Sequence, residues 1–200
     1  MKLASLALAA SVAVVAQPAL ALDVGYTLVI SGNTNVPDFQ LTNDSDAAQI
    51  TRFRFTIGDV SYNFDYVANF SYTPPGGFSA SIITGDINNS GVRTDEFELG
   101  YVGFDPTETF RMQTDVDPDS GNLTVNFNSI FWNNGEADSS FMEVTFSTGE
   151  VLSQFAGDQT VASSYTFQQS STSAVPVPAA LPLLGGGLAV AGLLLRRARG

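Results

Sequence analysis

Tyr62-Asn63-Phe64-Asp65-Tyr66-Val67-Ala68-Asn69-Phe70-Ser71-Tyr72 sets an aromatic or small apolar residue at every even position, with Asn63, Asp65 and Asn69 between them. Successive side chains of a strand point to opposite faces, so this spacing predicts a half-buried strand with one apolar face. Upstream, Phe53, Phe55 and Ile57 alternate with Arg52, Arg54 and Thr56 in the same way. Working outward, similar short runs occur at Tyr26–Ser31, Phe39–Thr42, Phe78–Thr84, Glu96–Gly103, Thr109–Thr114, Leu123–Phe127, Phe141–Ser147, Glu150–Phe155 and Val161–Phe167. Turn-forming clusters separate them: Pro74-Pro75-Gly76-Gly77, Gly85-Asp86-Ile87-Asn88-Asn89, Asn133-Asn134-Gly135 and Ser147-Thr148-Gly149. No segment keeps a helical period beyond two turns. About ten short strands at close spacing predict an all-β fold, an antiparallel β-sandwich of jelly-roll-like order, with a closed barrel as the alternative.

The two ends of the chain read differently. Met1–Ala21 has Lys2, an apolar run from Leu3 to Ala16, and Ala19-Leu20-Ala21 as a small-x-small cleavage site, which predicts a secretory signal removed after Ala21 by signal peptidase. At the other end, Val175 to Gly200 reads VPVPAALPLLGGGLAVAGLLLRRARG. Its apolar run from Ala179 to Leu195 is near the lower limit for crossing a hydrocarbon core of about 30 Å. Arg196, Arg197 and Arg199 after it fit a cytoplasmic end. Residues 22–167 are then the exported domain, of a size that suits one core. The polar stretch 168–174, beginning Gln168-Gln169-Ser170-Ser171-Thr172-Ser173, reads as a flexible linker.

Val175, Pro176, Val177, Pro178 and Ala179, followed by a Leu-rich helix and the cluster Arg196, Arg197 and Arg199, resemble the VPLPA variant of the PEP-CTERM sorting signal, with Val177 standing where that motif has Leu. The resemblance implies handling by an exosortase, a membrane-embedded cysteine protease of Gram-negative bacteria that make extracellular polysaccharide. An inner-membrane-anchored intermediate would then pass to the cell surface or matrix. Phe104-Asp105-Pro106 through Asp115-Val116-Asp117-Pro118, and Thr42-Asn43-Asp44-Ser45, are similar to stretches in other exported proteins bearing such tails. What this likeness implies concerns fold, not activity.

Composition narrows the chemistry. Lys2 and the three tail arginines belong to the targeting segments, so the exported part keeps only Arg52, Arg54, Arg93 and Arg111 against all twenty acidic residues, a formal charge of −16. Such a surface repels phosphate backbones and excludes nucleic acid as a natural partner. The chain has no Cys and no His. Disulfides, thiol chemistry, Ser-His-Asp and Cys-His catalysis and the usual zinc ligands are therefore absent.

Three residue sets could still carry function. Asp115, Asp117 and Asp119 alternate in Asp115-Val116-Asp117-Pro118-Asp119-Ser120-Gly121-Asn122, and Asp105 and Glu108 could add oxygens if their segment lay alongside. Ca²⁺ takes six to eight oxygens. The spacing matches the first half of an EF-hand loop, but Ser120 and Asn126 occupy the positions of its Gly and Glu. An unrelated calcium loop or a solvated acidic turn are the two readings. Trp132, beside Asn133 and Asn134, reads as a core residue or as a platform for a sugar ring. Glu96, Glu98, Glu136, Glu143 and Glu150 could include a glycosidase pair, which requires two carboxylates about 5–9 Å apart. The expectation is a non-catalytic structural or adhesive protein of the envelope or polysaccharide matrix. A carbohydrate-binding module or glycoside hydrolase acting on exopolysaccharide is the alternative.

Overall fold

The computed structural model describes residues 23–33, 36–59, 61–73, 77–84, 94–118, 140–157 and 163–172. These lie within one compact unit, Leu22–Ser173. Ten strands are described: β1 (Asp23–Gly32), β2 (Pro37–Asn43), β3 (Ile50–Thr56), β4 (Tyr62–Thr73), β5 (Ser79–Thr84), β6 (Glu96–Phe104), β7 (Thr109–Pro118), β8 (Phe141–Phe146), β9 (Val151–Phe155) and β10 (Ser164–Thr172). Every pairing is antiparallel, in two five-stranded sheets ordered β10-β1-β2-β7-β4 and β5-β6-β3-β8-β9.

The alternating residues build the core. Phe53 and Phe55 of β3, Phe97 and Leu99 of β6, and Met142, Val144 and Phe146 of β8 point inward from one sheet. Tyr26, Leu28 and Ile30 of β1, Phe39 and Leu41 of β2, and Phe110, Met112 and Val116 of β7 meet them from the other. Phe39 stands edge-on to Phe55 and Phe97, with ring centroids 5.2 and 5.7 Å away, and Phe64 of β4 meets Phe97 at 5.0 Å. Each buried Phe contributes about 1.5–3 kcal/mol by leaving water, and edge-to-face pairs add roughly 0.5–1.5 kcal/mol. Without disulfides, this aromatic seam between the sheets is what holds them together.

The strand order corrects the jelly-roll expectation. β7 sits between β2 and β4, and β3 between β6 and β8. In chain order and in neighbour order, β1-β2-β7-β4 and β3-β8-β9 reproduce the A-B-E-D and C-F-G arrangement of immunoglobulin-type sandwiches. The hairpin β5–β6 is inserted before the fifth of those strands and extends the β3 side, while β10 is added beside β1.

Two local expectations also change. Residues 168–172 are not a linker: they are the second half of β10, running beside β1 from Gln168↔Thr27 to Thr172↔Asp23. An edge strand carries polar side chains outward while its backbone still bonds inward, so polarity alone does not mark a tether. In β4 the single alternation over Tyr62–Tyr72 is interrupted by irregularities between Phe64 and Tyr66 and between Ala68 and Ser71. The first places Tyr66 opposite Asp115, whereas Phe64 is opposite the buried Val116. Each inserted residue reverses the facing of the strand residues beyond it.

Candidate functional site

Asp115 and Asp117 lie within β7, not in a loop, in register with Tyr66 and Asn63 of β4. They alternate with the buried Val116, so both are on the solvent side of the sheet. Partial burial, and then the charge of Asp117, raises the pKa of the Asp115 carboxyl above its ordinary value. Asp119 is outside the described residues. Asp105 and Glu108 belong to the turn before β7, six or more strand positions from Asp115, a separation of roughly 20 Å. The structure thus keeps Asp105 and Glu108 apart from Asp115 and Asp117. Among the described residues, no group of three or more acidic side chains is placed to hold a metal ion. Any calcium site at Asp115, Asp117 and Asp119 would draw its further oxygens from beyond them.

Asp105 and Glu108 have another task. The Glu108 carboxylate accepts from the Asp105 N–H at 2.8 Å, and Asp105 Oδ1 accepts from Gln49 Nε2 at 2.7 Å. Thr107, in the same turn, adopts the left-handed region at φ 70°. Its N–H donates to the Asn43 carbonyl at 2.8 Å, and the Asn43 N–H donates to the Glu108 carbonyl at 3.0 Å. Asn43 is fully buried and its Nδ2 donates to the carbonyls of Ala48 and Phe104 at 2.8 and 3.0 Å, while Oδ1 accepts from the Ser45 N–H at 3.1 Å. The Thr42–Ser45 and Phe104–Glu108 stretches, distant in sequence, are therefore two sides of one corner that pins β2 to the β6–β7 turn.

Three of the glutamates considered for catalysis, Glu96, Glu98 and Glu143, line the outer face of the second sheet. Arg52 Nη1 lies 3.0 Å from Glu98 Oε1, and Arg54 is bonded to Glu96. Thr56 Oγ1 also donates to Glu96, at 3.2 Å. The hydrogen bond from Arg54 to Glu96 raises the guanidinium's pKa above its already high value. Glu143 is in register with Arg54 on the opposite side. These carboxylates sit in a charge ladder with Arg52 and Arg54; Glu150 lies at the β8–β9 turn, and Glu136 is outside the described residues. Beside the ladder, Phe141 packs on Phe155 with centroids 5.1 Å apart, leaving Phe155 58% exposed. Sequence reading missed the ladder because its pairs join residues about forty to ninety positions apart.

Trp132, Asn133 and Asn134 lie outside the described residues, as do Ala19 and Ala21 and the tail residues Val175, Pro176, Val177, Pro178, Ala179, Arg196, Arg197 and Arg199. The arrangement that is described is a polar corner, an ion-pair ladder and an exposed aromatic pair.

No protein-family model matches the chain, and no curated protein matches it. Among solved structures, an uncharacterized protein from Nocardia farcinica with an immunoglobulin-like fold aligns over 70% of this chain and 95% of its own, at 14% identity and a TM-score of 0.35. A likeness that slight carries no argument, and the fold assignment above rests on the strand order.

Proposed function

We propose that the chain is an exported, non-catalytic protein with a structural or adhesive role, sorted by an exosortase-type protease to the cell envelope or extracellular polysaccharide matrix. The observation that carries this is the sequence of the tail from Val175 to Gly200, with its Pro-containing motif, apolar run and arginine cluster. The position of the domain supports it. β1 begins two residues after Ala21 and β10 ends three residues before Val175, so the sandwich fills the interval between the two signals. Asp23 and Thr172 are neighbours in the β1–β10 register. The non-catalytic part is supported by Glu96 and Glu98, whose carboxylates are already engaged by Arg54 and Arg52.

The test is expression of a tagged chain in an exosortase-bearing host, beside a version ending at Ser173 and beside a host lacking the protease. The intact chain should be trimmed at the tail and recovered from the surface or matrix. The untrimmed form should stay with the membrane when the protease is missing. Identical size and distribution in both hosts overturns the sorting assignment. A glycan-array screen of Leu22–Ser173, repeated with Trp132→Ala, separates adhesion through sugar from the carbohydrate-module alternative: binding to one defined glycan that Trp132→Ala abolishes favours the module.

A further inference from the structure

The four sheet edges differ in how they are protected. β4 is interrupted twice and β5 once by register irregularities, and bulges of this kind discourage a second chain from pairing. β10 presents Ser164, Thr166, Gln168 and Ser170 to solvent. β9, Val151-Leu152-Ser153-Gln154-Phe155, has no bulge in its register with β8, no proline and no charged residue. It exposes Val151 (48%) and Phe155 (58%). Among the described residues, no strand pairs with its outer edge.

The phase of the β8–β9 ladder decides which backbone groups that edge offers. The Phe146 N–H donates to the Glu150 carbonyl and the Ala156 N–H to the Ser140 carbonyl. Antiparallel pairs alternate, so Glu150, Leu152, Gln154 and Ala156 bond toward β8, while the N–H and C=O groups of Val151, Ser153 and Phe155 point away from it. A strand laid antiparallel on this edge with Ser153 opposite Ser153 also sets Val151 opposite Phe155 and Phe155 opposite Val151. All six outward groups of each copy are then paired. The side chains match as well, because Val–Phe is a favourable β-branched–aromatic cross-strand pair and the Phe155 ring already rests on Phe141.

Charge favours the same contact. Two bodies of formal charge −16 repel, and their approach is least opposed where acids are missing. β9 and β10, which edge the two sheets on the same side of the sandwich, contain no charged residue. Glu150, just before β9, would face Ala156 of the second copy and lie about six strand positions, roughly 20 Å, from its own counterpart. The in-register carboxylate on the neighbouring strand is Glu143. It would lie about three strand spacings from its counterpart, roughly 14 Å, beyond the Debye length of about 8 Å at physiological salt.

We infer that β9 is a homophilic edge: two copies of this domain associate by antiparallel β9–β9 pairing about a two-fold axis through Ser153, joining their five-stranded sheets into one. The contact is small, so the association is weak and concentration-dependent over roughly the micromolar to millimolar range, and it strengthens with salt.

The experiment uses Leu22–Ser173, which contains every described strand pairing and core residue. Sedimentation equilibrium should show a monomer–dimer equilibrium, while Val151→Lys with Phe155→Lys, both at exposed positions, should give a monomer of unchanged circular dichroism. Since the chain has no cysteine, Ser153→Cys reports the axis directly. Residues facing each other in a hydrogen-bonded antiparallel pair have Cα atoms about 5.5 Å apart, within disulfide range. Mild oxidation should link the Ser153→Cys variant into a dimer and leave Thr166→Cys on β10 unlinked. A monomer at every concentration, or a dimer that survives the double lysine variant, or equal cross-linking of the two cysteine variants, would overturn the inference.

Discussion

Asn43 directs every side-chain hydrogen-bonding group it uses at backbone: two carbonyls, of Ala48 and Phe104, and one N–H, of Ser45. Truncation to Ala would leave three buried backbone groups unpaired, at about 1–3 kcal/mol each before relaxation. Asn43→Ala should therefore lose about 3 kcal/mol, a fall in Tm of roughly 6–12 °C for a domain of this size. Asp44→Ala, one residue on but exposed, should cost much less; equal losses by calorimetry would mean that the corner does not act as a unit. Thr107 in the same corner carries the opposite defect. A β-branched residue in the left-handed region is strained by roughly 1–2 kcal/mol, and Gly relieves that strain while giving back part of the gain as unfolded-chain entropy. Thr107→Gly should raise Tm by a few degrees, since the N–H bond to Asn43 is kept. None of this was legible in the sequence, where Asp105 and Glu108 read as spare oxygens for a cation. Their acidity is visible locally, but the Gln49 amide and the Asp105 N–H that use it are brought there by folding.

At the level of the element, alternation located strands and failed where the alternation itself breaks. The Phe53–Ile57 and Phe141–Ser147 patterns carry over directly into β3 and β8, and Ser147-Thr148-Gly149 forms the turn between β8 and β9 with Gly149 at φ 85°. In β4 a single count over Tyr62–Tyr72 does not hold, because two irregularities shift the register with β7. In β10 the pattern fades after Phe167, since the later inward positions hold Gln169 and Ser171. Only the partner strand shows that 168–172 are structured, and a partner about 145 residues distant leaves no local mark. The distinction is measurable. A linker could be removed without loss, whereas ending the domain at Phe167 strips the Asp23–Thr27 half of β1 of its outer neighbour. With net contributions of about 1 kcal/mol per backbone bond, the Leu22–Phe167 form should be less stable than Leu22–Ser173 by roughly 2–4 kcal/mol. Urea unfolding midpoints that coincide would restore the linker.

The whole domain has an unusual titration inventory, and its stability should follow from it. With no His, Cys or Lys between Leu22 and Ser173, only carboxylates, tyrosines, arginines and the α-amino group carry protons. Stability should be nearly flat from about pH 6 to 9, apart from a small effect of the α-amino group. On the acid side, the raised pKa of Asp115 means that its ionised form is less comfortable folded than unfolded. Its contribution is therefore unfavourable at neutral pH and is relieved as the pH falls toward ordinary carboxylate values. Asp115→Asn should stabilise the domain at pH 7 by an amount that shrinks to nothing below about pH 4. On the alkaline side, burial pushes the Tyr26 hydroxyl up to about 12 against the opposing bond from Gln154, and burial raises Tyr101 well above its usual value. A phenol whose folded pKa exceeds its unfolded one stabilises the fold fully below about pH 10, and that stability is lost as the pH climbs to the folded value. For Tyr26 the difference corresponds to about 2–3 kcal/mol. The Tyr101 hydroxyl is buried without a partner among the described residues, so Tyr101→Phe should cost little or nothing at pH 7. Above about pH 10 the same change removes a group that must ionise on unfolding, and the alkaline unfolding midpoint should move up. Denaturation curves across the range from about pH 5 to 12 decide between the two cases. A Tyr101→Phe variant that unfolds in parallel with the wild type across the alkaline limb would place that hydroxyl in solvent contact and not in the core.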